Sequence, residues 1–293
     1  MRQQTAEAAL QAINRQLGVD YRLLAPFAAG ENRATFAVSA GETALVLKLD
    51  DVGRLADHHR RAAGVCDWLA ARGYPAPRTL TTGVASGHAY TLRAQLPGVS
   101  MSPDDASQVS ALIALNALQA GGAQAAELPA GDWPAPAADP VLHGGQGYCL
   151  HETMRQSPET SRLLDDLQAR ARRGQGAVAT TGDIVHFDFN PANLLVNDGR
   201  LTGVIDWEGV RAGDRAFDLA TLLFYLYDAP GAAGLLWSEL AALRPAPAVG
   251  AYLAHMVLRQ VEWSLRLHEA ALGRRYLDRA HRLLRDFDAR WWG

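Results

Sequence analysis

The sequence predicts an α+β protein in which a small N-terminal β-sheet region precedes a larger, mostly helical one. Three observations carry that expectation. Short strand-like runs at residues 21–24, 35–38 and 44–49 are separated by Gly-containing turns. A helix over 53–72 follows, then another strand pair through Leu92. Beyond Leu96-Pro97-Gly98 the pattern turns helical, apart from one hairpin near Asp198-Gly199.

The elements follow in order. Leu10, Ile13 and Leu17 share one helical face over residues 5–17, with Thr5 as the expected N-cap. Ala44 to Leu49 alternates, so Ala44, Val46 and Lys48 lie on one face of a strand and the leucines on the other. Gly73-Tyr74-Pro75-Ala76-Pro77 stops the 53–72 helix. Residues 121–147, rich in Gly, Ala and Pro, are expected as a surface connection, or else a mobile flap. Two C-terminal stretches, around Val261-Glu262-Trp263 and from Tyr276 to Trp291, have helical apolar spacing. These readings give two domains, 1–95 and 96–293.

Composition narrows the class. Of 293 residues, 48% are apolar and 20% charged, which is the profile of a globular protein with a substantial core. A formal charge of −3 gives no basic footprint for nucleic acid. Two cysteines make no disulfide framework and fit a reducing compartment. The N-terminus lacks an apolar signal core, and no apolar run approaches membrane-spanning length. The expectation is a cytoplasmic monomer or homodimer with no membrane or nucleic-acid partner.

The chemistry concentrates in His186-Phe187-Asp188-Phe189-Asn190-Pro191-Ala192-Asn193 and, beyond a hairpin, Val204-Ile205-Asp206-Trp207-Glu208. An Asp, an Asn and a second Asp at this spacing suit metal-assisted phosphoryl transfer. One carboxylate orients or deprotonates a hydroxyl, while an amide oxygen and a second carboxylate hold magnesium against nucleotide phosphates. Asp198-Gly199 reads as a two-residue type I′ turn. That register pairs Asn197 with Arg200, Val196 with Leu201 and Asn193 with Val204, and sets Asp206 opposite Pro191. Both oxygen ligands then stand at the open end of one hairpin.

These segments resemble the aminoglycoside phosphotransferase family, which has the two-lobed protein-kinase-like fold. Its catalytic loop reads His-x-Asp-x-x-Pro-x-Asn and its metal strand Ile-Asp-Trp or Ile-Asp-Phe. Gly213-Asp214-Arg215-Ala216-Phe217-Asp218-Leu219-Ala220 is similar to a further family segment, with Arg215 in place of the usual Pro. The resemblance implies Asp188 as catalytic base, His186 as the residue holding its loop, and Asn193 and Asp206 as Mg2+ ligands. It implies Asp218 as a buried acceptor for the loop backbone. Lys48 resembles the phosphate lysine, with Val46 covering the base of ATP or GTP. Gly30 and Asn32 resemble the nucleotide-covering hairpin, and Ala94 and Leu96 the hinge that meets the base edge.

One departure stands out. The glutamate that usually anchors the phosphate lysine from the following helix falls at Ala62. His58, His59 or Asp57 substitutes, or the lysine is held differently; the His58-His59 pair otherwise reads as a solvated helix face. Glu208 is a candidate contact for metal or a cationic substrate, and Glu262, Glu269 and Asp278 are candidate contacts for a cationic substrate; each is also readable as a solvated carboxylate. Arg274, Arg275, Arg279, Arg282 and Arg285 give the last helix a basic face expected in solvent. The implied activity is transfer of a γ-phosphate to a small-molecule hydroxyl, on an aminoglycoside or other antibiotic. A choline, ethanolamine or homoserine type of metabolite kinase is the alternative, and a nucleotide-binding pseudokinase scaffold the third reading. A protein kinase is disfavoured, because no Asp-Phe-Gly or activation segment is evident.

Overall fold

The computed structural model of the chain describes residues 3–27, 34–51 and 54–292. In chain order, helix α1 spans Gln3–Leu17, followed by strands β1 Arg22–Pro26, β2 Ala34–Ala40 and β3 Thr43–Asp51. Helix α2 Arg54–Ala70 leads to β4 Thr79–Ala85, β5 His88–Ala94 and β6 Val99–Ser100. Then come α3 Val109–Leu118, α4 Pro134–His143, α5 His151–Met154 and α6 Pro158–Gly174. Short strands β7 Asp183–Val185, β8 Leu194–Asn197, β9 Arg200–Val204 and β10 Arg211–Gly213 surround the motif segments. Helices α7 Ala216–Leu226, α8 Ala232–Leu243, α9 Ala246–Leu267 and α10 Ala270–Trp291 complete the chain. The α+β class read from the sequence is the observed one.

Two compact units result. The first comprises Met1–Ser100, Ala125–Leu128 and Asn193–Val210; the second comprises Met101–Gln124, Pro129–Ala192 and Arg211–Gly293. The first unit thus runs to Ser100 and takes in two later segments, the larger of which carries the β8–β9 hairpin. The hairpin is tied there by β6, which pairs with β8 through Val99↔Val196 and Ser100↔Leu195.

In the first unit an antiparallel sheet of order β1-β2-β3-β5-β4 carries α1 on one face. Ala6, Ala9, Leu10 and Ile13 bury against Phe36, Val38, Leu45, Leu47, Leu49 and Leu92. Complete burial of a Leu or Ile contributes roughly 1.5–3 kcal/mol. Helix α1 begins at Gln3, so Thr5 sits inside its first turn rather than capping it; a Gln3–Glu7 side-chain hydrogen bond of 3.1 Å extends that turn. Lys48 stands on the opposite sheet face, between Thr35 of β2 and Thr91 of β5. Gly98 has φ +119°, and a Cβ there would lie 2.7 Å from the Val196 carbonyl oxygen, so only glycine lets the chain run this close to the hairpin.

The second unit is helical around α9, which packs against α4, α6, α7 and α10. Residues 121–147 correct the expectation of a surface connection, because they contain α4 and the buried Trp133. Trp133 donates to the Tyr252 hydroxyl at 3.1 Å and packs edge-on to Phe187, Phe217 and Tyr252. Its ring fills the space where a Gly213 side chain would be, 2.3 Å from an ideal Cβ. The basic face of α10 is also corrected in part. Arg279 is buried, donating to Asp228 and to the Phe224 and Tyr225 carbonyls. Among the described residues no helix is long and apolar enough to cross a membrane.

Candidate active site

The loop expected to be catalytic, as far as Ala192, lies in the second unit. Strand β7, paired with β10, delivers His186 and Asp188 into a turn that ends in a 3-10 turn at Pro191–Asn193. Asp218, in the first turn of α7, is fully buried and accepts from the backbone N–H of His186 at 2.8 Å and of Phe187 at 3.0 Å. The Gln119 side chain donates to the same carboxylate at 2.9 Å. Burial pushes the Asp218 carboxyl above its ordinary value, against the charge and hydrogen bonds of His186. The Asp188 N–H donates to His186 Nδ1 at 3.2 Å, so the histidine ring holds the loop from inside. Asp188 itself is half-buried. Arg259 of α9 reaches it, donating to its Oδ1 at 2.8 Å.

Asp214 and Arg215 are structural in this setting. Asp214 is buried and accepts from the Tyr252 hydroxyl, Arg244 and the Ala216 N–H. Arg215 exchanges hydrogen bonds with Asn116 in both directions, at 2.8 and 3.0 Å, a role no proline could fill.

The residues expected on the nucleotide side lie in the first unit. Asp198 and Gly199 both have positive φ, +49° and +71°, as the predicted turn requires. Asn197↔Arg200 and Val196↔Leu201 pair as expected. A bulge then shifts the register, giving Leu195↔Gly203 and Leu194↔Val204, which corrects the expected Asn193–Val204 pairing. Asn193 accepts from the Ile205 N–H at 2.9 Å instead. Asp206 therefore follows directly on the residue bonded to Asn193. It adopts φ +67°, uncommon for a non-glycine residue and frequent at functional sites.

Lys48 is nine-tenths buried and donates to Asp206 Oδ1 and to Glu208 Oε2, each at 2.7 Å. Arg93 lies 3.0 Å from the other Glu208 oxygen. Burial alone would raise the Glu208 carboxyl, but Arg93 and then Lys48 outweigh it and hold the group well below the usual carboxylate range. The missing helix glutamate is thus replaced from a different element, the 3-10 turn Trp207–Gly209. His59 corrects the solvated-helix expectation. It is buried, facing Asp50 at 3.0 Å and Thr91, with Glu208 at 3.9 Å. His58 is half-buried and Asp57 exposed.

The remaining expected residues fall as follows. Val46 is half-buried on the Lys48 face, paired with Arg93 of β5. The Ala94 N–H is committed to the Arg78 carbonyl and the Gln95 N–H to that of Ala44, while Leu96 is half-buried just beyond. Gly30 and Asn32 lie outside the described residues. Glu208 is buried against Lys48 and Arg93 rather than presented to a substrate. Glu262 is fully buried in the second unit, accepting from Thr153 and Arg266, and so is neither solvated nor presented. Asp278 is exposed, 3.4 Å from Arg274, and Glu269 is exposed at the start of α10.

Asn193 and Asp206 offer an amide oxygen and a carboxylate from the segments just before and just after one hairpin. Hard oxygen donors of this kind fit magnesium, which takes one or two carboxylates and fills its other positions with water and phosphate oxygens. Among the described residues no three His, Cys, Asp or Glu side chains cluster as a metal cage, the donor set a closed structural site would need.

The second unit thus carries a strand-fed Asp in a braced loop, and the first a buried lysine held by an acidic pair, the separate features expected of a kinase-like phosphotransferase. The chain belongs to the phosphotransferase enzyme family, abbreviated APH, whose model matches residues 24–253. It is 25% identical over 215 residues to the hygromycin-B 4-O-kinase of Escherichia coli, a match covering 67% of this chain and 60% of that relative. Thus the chain matches about three-fifths of the length of the curated relative. Among solved structures it is similar to a thermostable mutant of aminoglycoside phosphotransferase APH(4)-Ia in ternary complex with ADP and hygromycin B. That comparison gives a TM-score of 0.64 and 21% identity, covering 94% of this chain and 97% of that one. It is also similar to a microcompartment-associated aminopropanol kinase, with a TM-score of 0.63 and 18% identity over 95% and 98% of the two chains. The fold is that of the kinase-like phosphotransferases.

Proposed function

We propose that the protein is a small-molecule O-phosphotransferase that moves the γ-phosphate of ATP or GTP to a substrate hydroxyl, with an antibiotic as acceptor. The observation that carries this reading is the braced catalytic loop, in which Asp218 fixes two successive backbone N–H groups and His186 a third, aiming Asp188. Family membership and the ADP-containing relative support the nucleotide as co-substrate. The acceptor oxygen forms a bond to the γ-phosphorus as the bond to the β–γ bridging oxygen breaks. The hydroxyl proton goes to the Asp188 carboxylate, and the nucleoside diphosphate leaves. Lys48 places positive charge on the phosphates, and Glu208 with Arg93 holds that lysine. Asn193 and Asp206 would hold Mg2+, which neutralises developing phosphate charge when bound. Val46 and the Leu96 backbone border the base, and residues 1–95 together with the hairpin act as the nucleotide-binding part.

The experiment is a screen of hydroxyl-bearing antibiotics and small metabolites with ATP and with GTP, read by mass gain of one phosphate. An antibiotic product supports the reading. Products from amino alcohols alone would favour the metabolite-kinase alternative, to which the aminopropanol kinase likeness points. Nucleotide binding without any magnesium-dependent hydrolysis or transfer would leave the pseudokinase scaffold.

A further inference from the structure

Arg259 lies on α9, and one guanidinium bonds two consecutive residues of the catalytic loop. Its Nη1 donates to the Phe187 carbonyl and its Nη2 to Asp188 Oδ1, each at 2.8 Å. Phe187 has φ +72°, a strained conformation for a non-glycine residue. Its N–H is held by Asp218 and its C=O by Arg259, so the strained residue is clamped on both sides. The Arg259 side chain is 21% exposed and lies over the Phe187 ring at 5.6 Å and the Tyr148 ring at 5.9 Å. A planar fork makes both bonds at once; a lysine, as a point charge, does not.

We propose that Arg259 is the positioning residue of the catalytic carboxylate, fixing its orientation and favouring the ionised form that accepts the acceptor's proton. The inference rests on the reading of Asp188 as the base. The groups facing the pair are Tyr148 and Cys149, Tyr225 of α7, Arg211 of β10, His186 of the loop, and His255 one turn earlier on α9. Burial pushes Tyr148, Cys149 and Tyr225 above their ordinary values and His255 down to about 3. Burial and the like charge of Arg259 lower Arg211, which stays cationic and lies, as Arg259 does, over the Phe187 ring. His186 is common to every variant tested.

The test is magnesium-dependent hydrolysis of ATP with water as acceptor, followed by phosphate release across the acidic pH range. In that step a water oxygen bonds to the γ-phosphorus, ADP leaves and the proton passes to Asp188. Arg259→Gln is expected to lower kcat at least about 10-fold, a modest part of a general-base contribution. KM for ATP should stay unchanged, and the acidic limb of kcat/KM should move to higher pH, because an opposite charge has been removed. Arg259→Lys restores the limb but not the full rate. A wild-type rate and limb in Arg259→Gln would overturn the proposal, as would a rise in KM with kcat intact. If the glutamine variant does not fold, the lysine variant decides: a wild-type kcat there overturns the inference and a lowered one supports it. Asp188→Asn is measured alongside. Its inactivity with unimpaired Arg259 variants rejects the arginine's role alone, whereas its full activity rejects the base and this inference with it.

Discussion

Glu208 shows how a single side chain can take over a role that its family resemblance assigns elsewhere. Its carboxylate is shared by Lys48 and Arg93 with almost no exposure, so losing it leaves two buried cations without their common anion. Breaking a buried pair typically costs about 3–5 kcal/mol. Glu208→Gln should therefore lower unfolding stability by several kcal/mol in urea titrations and weaken ATP binding; an unchanged midpoint would contradict this. Because the folded carboxyl is held well below its ordinary 4.5, the stability it contributes is present above that value and is lost as pH falls through the folded value. His255 behaves as a base pushed the other way. Buried and donating from Nδ1 to the Ala137 carbonyl, it ionises near 3 rather than 6.5. It is neutral in both states above 6.5 and costs nothing there. Below 6.5 the unfolded chain gains a proton that the fold excludes, so stability should fall by up to about 1.4 kcal/mol per pH unit until about 3. His255→Asn should flatten that slope in denaturation curves taken between those values; an identical slope would refute the assignment.

At the scale of elements, local chemistry was legible and pairings between distant segments were not. The Asp198-Gly199 turn and the alternation of β3 follow from nearby residues, the burial of Asp218 from the family resemblance, and all three are observed. The bulge between Leu195 and Val196 was hidden, because nothing in the hairpin's own composition demands it. Helix α4 was hidden by its prolines: Pro134 suits a first turn, and what holds the segment is Trp133 in an aromatic cluster built from residues far along the chain. The hairpin makes its own prediction. Gly98→Ala places a methyl against the Val196 carbonyl at a φ that side chains rarely adopt, so it should cost about 1–3 kcal/mol. Thermal unfolding monitored by the fluorescence of Trp207, buried beside Tyr74, would register that loss; no change would mean β6 and β8 are not locked together as described.

For the whole molecule, the family and fold class were readable because the motif residues are contiguous, whereas the partners that tune them are not. Lys48 meets Glu208 across 160 positions and Arg259 meets Asp188 across 71. Spacing within a motif cannot reveal such pairs; a buried strand lysine lacking its helix glutamate was the one available signal. Glu262 was misread for the same reason, since it is consumed by Thr153 and Arg266. A non-hydrolysable ATP analogue at 100 times its dissociation constant should stabilise the chain by about 2.7 kcal/mol. Removing magnesium with a chelator should reduce that shift, and a shift indifferent to the metal would argue against Asn193 and Asp206 as its ligands. The most direct measurement is turnover of Asp188→Ala beside its affinity for the same analogue. The account predicts turnover abolished with nucleotide affinity largely intact; phosphate transfer at the wild-type rate would contradict it.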